Sequence, residues 1–248
     1  MAKRIKIDSH QVHIEDDANG LIAALTTYIR AAANAQRQQQ RHYYLSLAGG
    51  TTPKQLYTSL AKDPHFDNEL WQYFEIYFGD ERYVPHTSVD SNYKMAKQAW
   101  LDRVPIPQQQ IHPVPTHCTQ IAKCVEEYTS VLNAIPKVNG IPCFDLILLG
   151  MGDDGHTASL FPDTPILQET QKWLASVYVA KLDSQRISFT YPLINNAKEI
   201  IVLVTGANKA AMLKRVFYEP AANLPIQHIK PRNGVTWFVD AAAAAELS

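Results

Sequence analysis

Glycine is scarce in this chain. Ten of its 248 residues are glycine, about 4% against the ~7% usual in soluble proteins, so each is expected where the backbone turns sharply or something approaches it closely. Cysteine is scarcer still. Cys118, Cys124 and Cys143 form an odd set without CxxC spacing, which argues against a disulfide framework or a structural zinc site and points to a reducing, cytoplasmic setting. His117 stands beside Cys118, but neither an HExxH motif nor a second ligand pair accompanies it. The expectation is a surface histidine near buried thiols, with no metal. Neither sign of charge is in excess: 23 Lys and Arg face 24 Asp and Glu, a formal charge of -1, which excludes the broad basic field of a nucleic-acid binder. No apolar run approaches the ~18 residues of a membrane span. The basic residues 1–7 are followed by Asp8, His10, Glu15, Asp16 and Asp17 where an export signal needs its apolar stretch, so neither export nor a membrane partner is expected.

What is present suits a substantial core, with 46% hydrophobic and 19% charged residues. Short β-rich runs at 43–48, 73–78, 144–149, 175–179, 200–204 and 235–239 are separated by helix-like segments, the pattern of an α/β fold. The runs 144–149 and 200–204 are continuously apolar rather than alternating, as strands of a parallel sheet covered by helices on both faces are. Asp16 or Asp17 can cap a helix reaching about Gln39, and Thr51 or Thr52 one starting at Pro53; others begin near Ser91, Thr119 and Gly206. Pro105, Pro107, Pro113 and Pro115 make 103–115 a connection. Strands of one character continue on both sides of it with no flexible Ser/Gly tract, so a single domain, 1–248, is expected. The alanine-rich tail, 240–248, is expected to fray or to cap the last strand as a helix.

Seven of the ten glycines, Gly49, Gly50, Gly79, Gly150, Gly152, Gly155 and Gly206, fall just after predicted strands. In open α/β sheets that is the rim where ligands bind. Four segments there carry chemistry. Gly49-Gly50-Thr51-Thr52-Pro53 can cradle a small phosphate at a helix start; lacking the P-loop lysine, it suits a sugar phosphate better than ATP, and an ordinary capped turn is the alternative. Gly79-Asp80-Glu81-Arg82 is either solvated or binds hydroxyls and orients a reacting carbonyl, with Ser91-Asn92 as helix caps or as a loop over the site. Gly150-Met-Gly-Asp-Asp-Gly155-His156 contains G-x-G-x-x-G, the nominal dinucleotide fingerprint. Asp153 and Asp154 would set negative charge against a pyrophosphate, and Pro162 and Pro165 obstruct a long following helix. A catalytic loop fits better than either a dinucleotide site or a structural histidine: His156 accepts a proton, and Asp154 holds its tautomer or stabilises the imidazolium. Arg186 and Lys209 are surface cations or, if their strands are neighbours, phosphate contacts beside the cradle.

Taken in order, these segments resemble the 6-phosphogluconolactonase family, within a broader group that includes glucosamine-6-phosphate deaminases. The resemblance rests on Ala48 to Pro53, Gly79 to Arg82 with Val84-Pro85 and Ser91-Asn92, Phe144-Asp145 through Pro162, and Arg186 with Val204-Thr-Gly206 and Lys209. It implies a Rossmann-like three-layer α/β/α fold with a mostly parallel central sheet. It also implies hydrolysis of 6-phospho-D-glucono-1,5-lactone in the oxidative pentose phosphate pathway, with no metal or organic cofactor and a small sugar phosphate as the partner. By position it makes His156 the general base and Asp154 its carboxylate, assigns Gly49, Gly50, Thr51, Arg186 and Lys209 to phosphate, and puts Asp80 and Arg82 along the sugar and reacting carbonyl. Deaminases of the group carry an acid five residues after the histidine, where this chain has Phe161, and usually a tyrosine where it has Arg82. A deaminase-like enzyme and a non-catalytic sugar-phosphate-binding regulator are the alternatives.

Overall fold

The computed structural model describes residues 3–247. The first half of the chain runs β1 (Lys3–Ile7), β2 (His10–Glu15), α1 (Ala18–Gln38), β3 (Tyr43–Leu47), α2 (Thr51–Lys62), β4 (Phe74–Phe78), β5 (Asp80–Arg82), α3 (Asn92–Ala96), β6 (Ile111–His112) and α4 (Ile121–Leu132). The second half runs β7 (Lys137–Val138), β8 (Ile141–Pro142), β9 (Leu146–Gly150), β10 (Leu174–Val179), β11 (Ser184–Phe189), α5 (Tyr191–Ile194), β12 (Ile200–Val204), α6 (Ala210–Tyr218) and β13 (Thr236–Asp240).

Eight strands form the main sheet in the order β1-β2-β13-β12-β9-β3-β4-β6, parallel throughout except for the β1–β2 hairpin. From β3 the chain winds outward through β4 to β6, then returns to the other side of β3 as β9 and winds through β12 to β13. The order therefore reverses between β3 and β9. A crevice opens at such a switch point, beyond the carboxyl ends of the strands.

Helices cover both faces. Trp237 and Phe238 are successive residues of β13 and so point to opposite sides; Phe217 of α6 packs edge-on against Trp237 at 5.0 Å and Tyr28 of α1 against Phe238 at 5.9 Å. Between these layers Leu146 to Leu149 and Ile200 to Val204 are all buried, which is why they read as unbroken apolar runs. On α1, Asp17 accepts a 2.8 Å hydrogen bond from the Gly20 amide and caps the helix. The stripe Leu21, Leu25 and Ile29 is fully buried beneath it, each side chain contributing roughly 1.5–3 kcal/mol of transfer free energy. No helix among the described residues is long and apolar enough to cross a membrane.

Several expectations need correction. The run 175–179 is a strand, β10, but it lies outside the parallel layer: β10, β11 and β5 form a separate antiparallel three-stranded sheet. Its alternation of buried with exposed or half-exposed residues is that of a sheet with one wet face. Arg186 on β11 is therefore not on a neighbour of β12; it faces Arg82 of β5. Cys118 and Cys124 are joined as a disulfide, with Cα atoms 5.8 Å apart, rather than lying as free thiols. The segment before α4 folds back onto its first turn, a proximity that CxxC spacing does not announce. Cys143 is free and buried. His117 comes within 4.8 Å of both sulfurs, which are bonded to each other. The tail forms turns rather than a helix, tied to the sheet because Asp240 accepts from the Ala243 amide at 2.7 Å and the Gly206 amide at 3.0 Å.

Candidate active site

At the end of β3 the chain turns through Gly49 and Gly50 directly into α2. The helix starts at Thr51, two residues earlier than the expected Pro53, and Gly50 is its N-cap with no side chain closing the first turn. Thr52 is not a cap either; its hydroxyl meets that of Thr205 at 2.7 Å. The first-turn amides and the positive end of the helix dipole are left facing the crevice. Gly49 is required by a close approach: a Cβ there would lie 2.1 Å from Asn92 Oδ1. Asn92 is held in that place by Glu81, a fully buried carboxylate that accepts from the amides of Arg82, Asn92 and Tyr93 at 2.7–2.8 Å and from the Ser91 hydroxyl at 3.0 Å. Burial pushes the Glu81 pKa up against the pull of those amides. Ser91 also caps α3 through the Lys94 amide, while the Asn92 side-chain amide donates to the Asp80 carbonyl at 3.0 Å.

The loop after β9 closes on itself. Thr157 donates its hydroxyl proton to the Gly150 carbonyl at 2.8 Å, and the Gly152 amide donates to the His156 carbonyl at 2.8 Å. The ring of His156 packs over this turn so closely that a Cβ on Gly152 would lie 2.0 Å from its Nδ1. Asp154 Oδ1 takes both the ring Nδ1, at 2.5 Å, and the backbone amide of His156, at 3.1 Å. With Nδ1 committed to the carboxylate, Nε2 is the nitrogen left to accept a proton. The ring stacks on Phe161 with centroids 3.9 Å apart. Its pKa is pulled down to about 4, chiefly by burial; Arg186 and Lys209 lower it further, while Asp80 and Asp153 oppose them. His156 is therefore neutral at physiological pH.

Two guanidinium groups meet this loop from the small sheet. Arg82 and Arg186 are cross-strand partners, an arrangement that like charges disfavour unless an anion lies between them. Each has its Nε buried without a hydrogen-bond partner. Asp80, buried beside them, accepts from the Ser159 hydroxyl at 2.6 Å. Lys209 pairs with Asp153. Gly49, Gly50, Thr51, Asp80, Arg82, His156, Arg186 and Lys209 all line one cavity of about 510 Å³. Asp154 lies behind His156, in contact with the ring but outside the lining. A larger groove of about 910 Å³, between α4 and β10, contains none of these residues.

The structure adds groups that the sequence did not single out for the site. Ser159 is fully buried against Asp80, Phe161 supports the His156 ring by stacking on it, and Thr205 and Asn208 also line the cavity. The Phe161 position was legible only as a missing acid.

Comparison with known proteins gives this combination of fold and cavity its class. Residues 16–238 match the family described as glucosamine-6-phosphate isomerases/6-phosphogluconolactonase, and the chain belongs to that family. Its relatives within the family are more specific. A 6-phosphogluconolactonase of Nostoc sp. is 41% identical over 244 residues, covering 96% of this chain and 98% of its own. One from Haemophilus influenzae is 41% identical over 211 residues, covering 82% and 87%. The solved 6-phosphogluconolactonase of Trypanosoma brucei superposes with a TM-score of 0.86 at 29% identity, over 96% of this chain and 98% of that one.

Proposed function

We propose that this chain hydrolyses 6-phospho-D-glucono-1,5-lactone to 6-phospho-D-gluconate in the oxidative pentose phosphate pathway, acting as one cytoplasmic domain. The observation that carries the reading is a neutral histidine, held by a carboxylate, in the same cavity as an uncapped helix N-terminus and two guanidinium groups. The phosphate takes the amides of Gly49, Gly50 and Thr51 with Arg186 and Lys209, which fixes the distance from C6 to C1 and turns binding into positioning. Asp80 accepts from a sugar hydroxyl.

In the chemical step Nε2 of His156 takes a proton from water as the water oxygen bonds to C1. The carbonyl electrons move onto oxygen, where Arg82 stabilises the oxyanion. As the carbonyl reforms, the bond from C1 to the ring oxygen breaks and the imidazolium returns its proton to that oxygen. The product acid then loses a proton to solvent. A ring whose conjugate acid is as strong as that of His156 returns the proton readily, so the low pKa serves the second half of the reaction.

The deaminase alternative needs an acid where Phe161 stands, buried and stacked on His156. The deciding assay measures acid release from freshly generated 6-phosphogluconolactone, corrected for spontaneous opening, beside ammonia release from glucosamine 6-phosphate. Catalysed turnover of the lactone alone is expected. Ammonia release without lactone turnover overturns the reading.

A further inference from the structure

Lys181 lies outside the cavity lining, on the turn of residues 180–182 between β10 and β11. Its ammonium pairs with Asp154 Oδ2, the oxygen that His156 does not use. The same ammonium stands 4.8 Å from the centroid of Phe161, the ring on which His156 stacks. Lysine, carboxylate, imidazole and phenyl ring thus close a circuit behind the reacting nitrogen.

We infer that Lys181 is a positioning residue that holds the Asp154 carboxylate against Nδ1 of His156 and offsets its charge. This rests on His156 being the base in the reaction proposed above. A carboxylate alone on Nδ1 would orient the ring but also favour its imidazolium form. Asp80, from β5, and Asp153, from the same loop, push in that direction too; Arg186, from β11, and Lys209, from the turn before α6, push the other way. Lys181 adds a cation that touches the carboxylate itself. An exposed ammonium–carboxylate pair is weak in isolation, and the Phe161 ring gives this ammonium a second anchor. Both contacts converge on Asp154 Oδ2 and on the ring that supports His156, so their loss leaves the carboxylate held through Oδ1 alone, with its charge unbalanced.

The test is an NMR titration of the His156 ring, assigned with His156→Asn, alongside the pH profile of kcat/KM for the wild type, Lys181→Met and Lys181→Arg. Lys181 is exposed, so both variants are expected to fold, and matching melting temperatures check this. In Lys181→Met the ring titration and the acid limb of kcat/KM should move up together by about half to one pH unit, the effect of a single charge acting through an intervening carboxylate. KM should stay unchanged, and Lys181→Arg should restore both. An unmoved ring titration in folded Lys181→Met overturns the inference. A ring titration that moves while the kcat/KM profile does not supports the coupling and counts against His156 as the base.

Discussion

The two walls of the cavity are built in opposite ways. At the end of β9 nearly every polar group already has a protein partner: Gly152 with the His156 carbonyl, Thr157 with Gly150, and Nδ1 of His156 with Asp154. At the start of α2 and on the small sheet the reverse holds: α2 begins without a side-chain cap, and Arg82 and Arg186 each bury an Nε that nothing accepts from. One wall is bonded within itself; the other keeps donors without a partner, which in the proposed reaction suit an anion. Rigid placement of reacting groups favours the chemical step, whereas open donors favour ligand capture. The contrast therefore separates kcat from KM by residue.

The largest effect is expected from His156→Asn. It should lower kcat by about 100- to 10,000-fold, the range of a general base, and leave KM within a few-fold. Steady-state kinetics on fresh lactone check it, and a KM rise as large as the loss in kcat would show that the two walls are not separable. Arg186→Ala is the mirror case. Loss of a charge-assisted contact to phosphate should raise KM by about 10- to 100-fold, with kcat within a few-fold and inhibition by inorganic phosphate weakened in parallel. A kcat collapse in this variant would move Arg186 from the binding wall to the reacting centre.

The same contrast explains what was legible in the sequence. The parallel core was readable because Leu146 to Leu149 and Ile200 to Val204 are buried on both faces, and burial on both faces leaves an unbroken apolar run. The rim was readable through glycine: Gly49 and Gly152 sit where a Cβ would strike Asn92 and His156, and so few glycines had to be placed where they were needed. The β5–β11 pairing was not readable, since the register that sets Arg82 against Arg186 joins segments far apart in the chain and leaves no local pattern. Ser159 and Lys181 escaped for a related reason. Their roles come from contacts with Asp80 and Asp154 across the fold, and a lone serine or lysine looks the same on any surface. The strands β1 and β2 alternate apolar with charged or polar residues at period two, but each is short, lies at one end of the sheet and is only partly buried, so its apolar signal is weak.

The smallest effect concerns stability. In the unfolded chain His156 takes a proton near pH 6.5, whereas in the folded protein burial delays this to about pH 4. Between those values the unfolded state binds more protons, so stability falls as pH falls through the window. The loss between pH 7.5 and 5.0 is about 1–2 kcal/mol, nearer the lower figure because 27% of the side chain is exposed. His156→Asn should lose less stability over the same interval, read as the difference in urea midpoints at the two pH values. His10 and His13 are also held below the ordinary histidine range by burial, but both proteins contain them, so their contribution cancels in the comparison. Arg186→Ala should fall between the two, because the guanidinium helps to hold the His156 pKa down although burial is the larger cause. Equal acid sensitivity in all three proteins would mean that the finished wall of the cavity carries no protonation cost, and that the neutral state of His156 is set by something other than its burial.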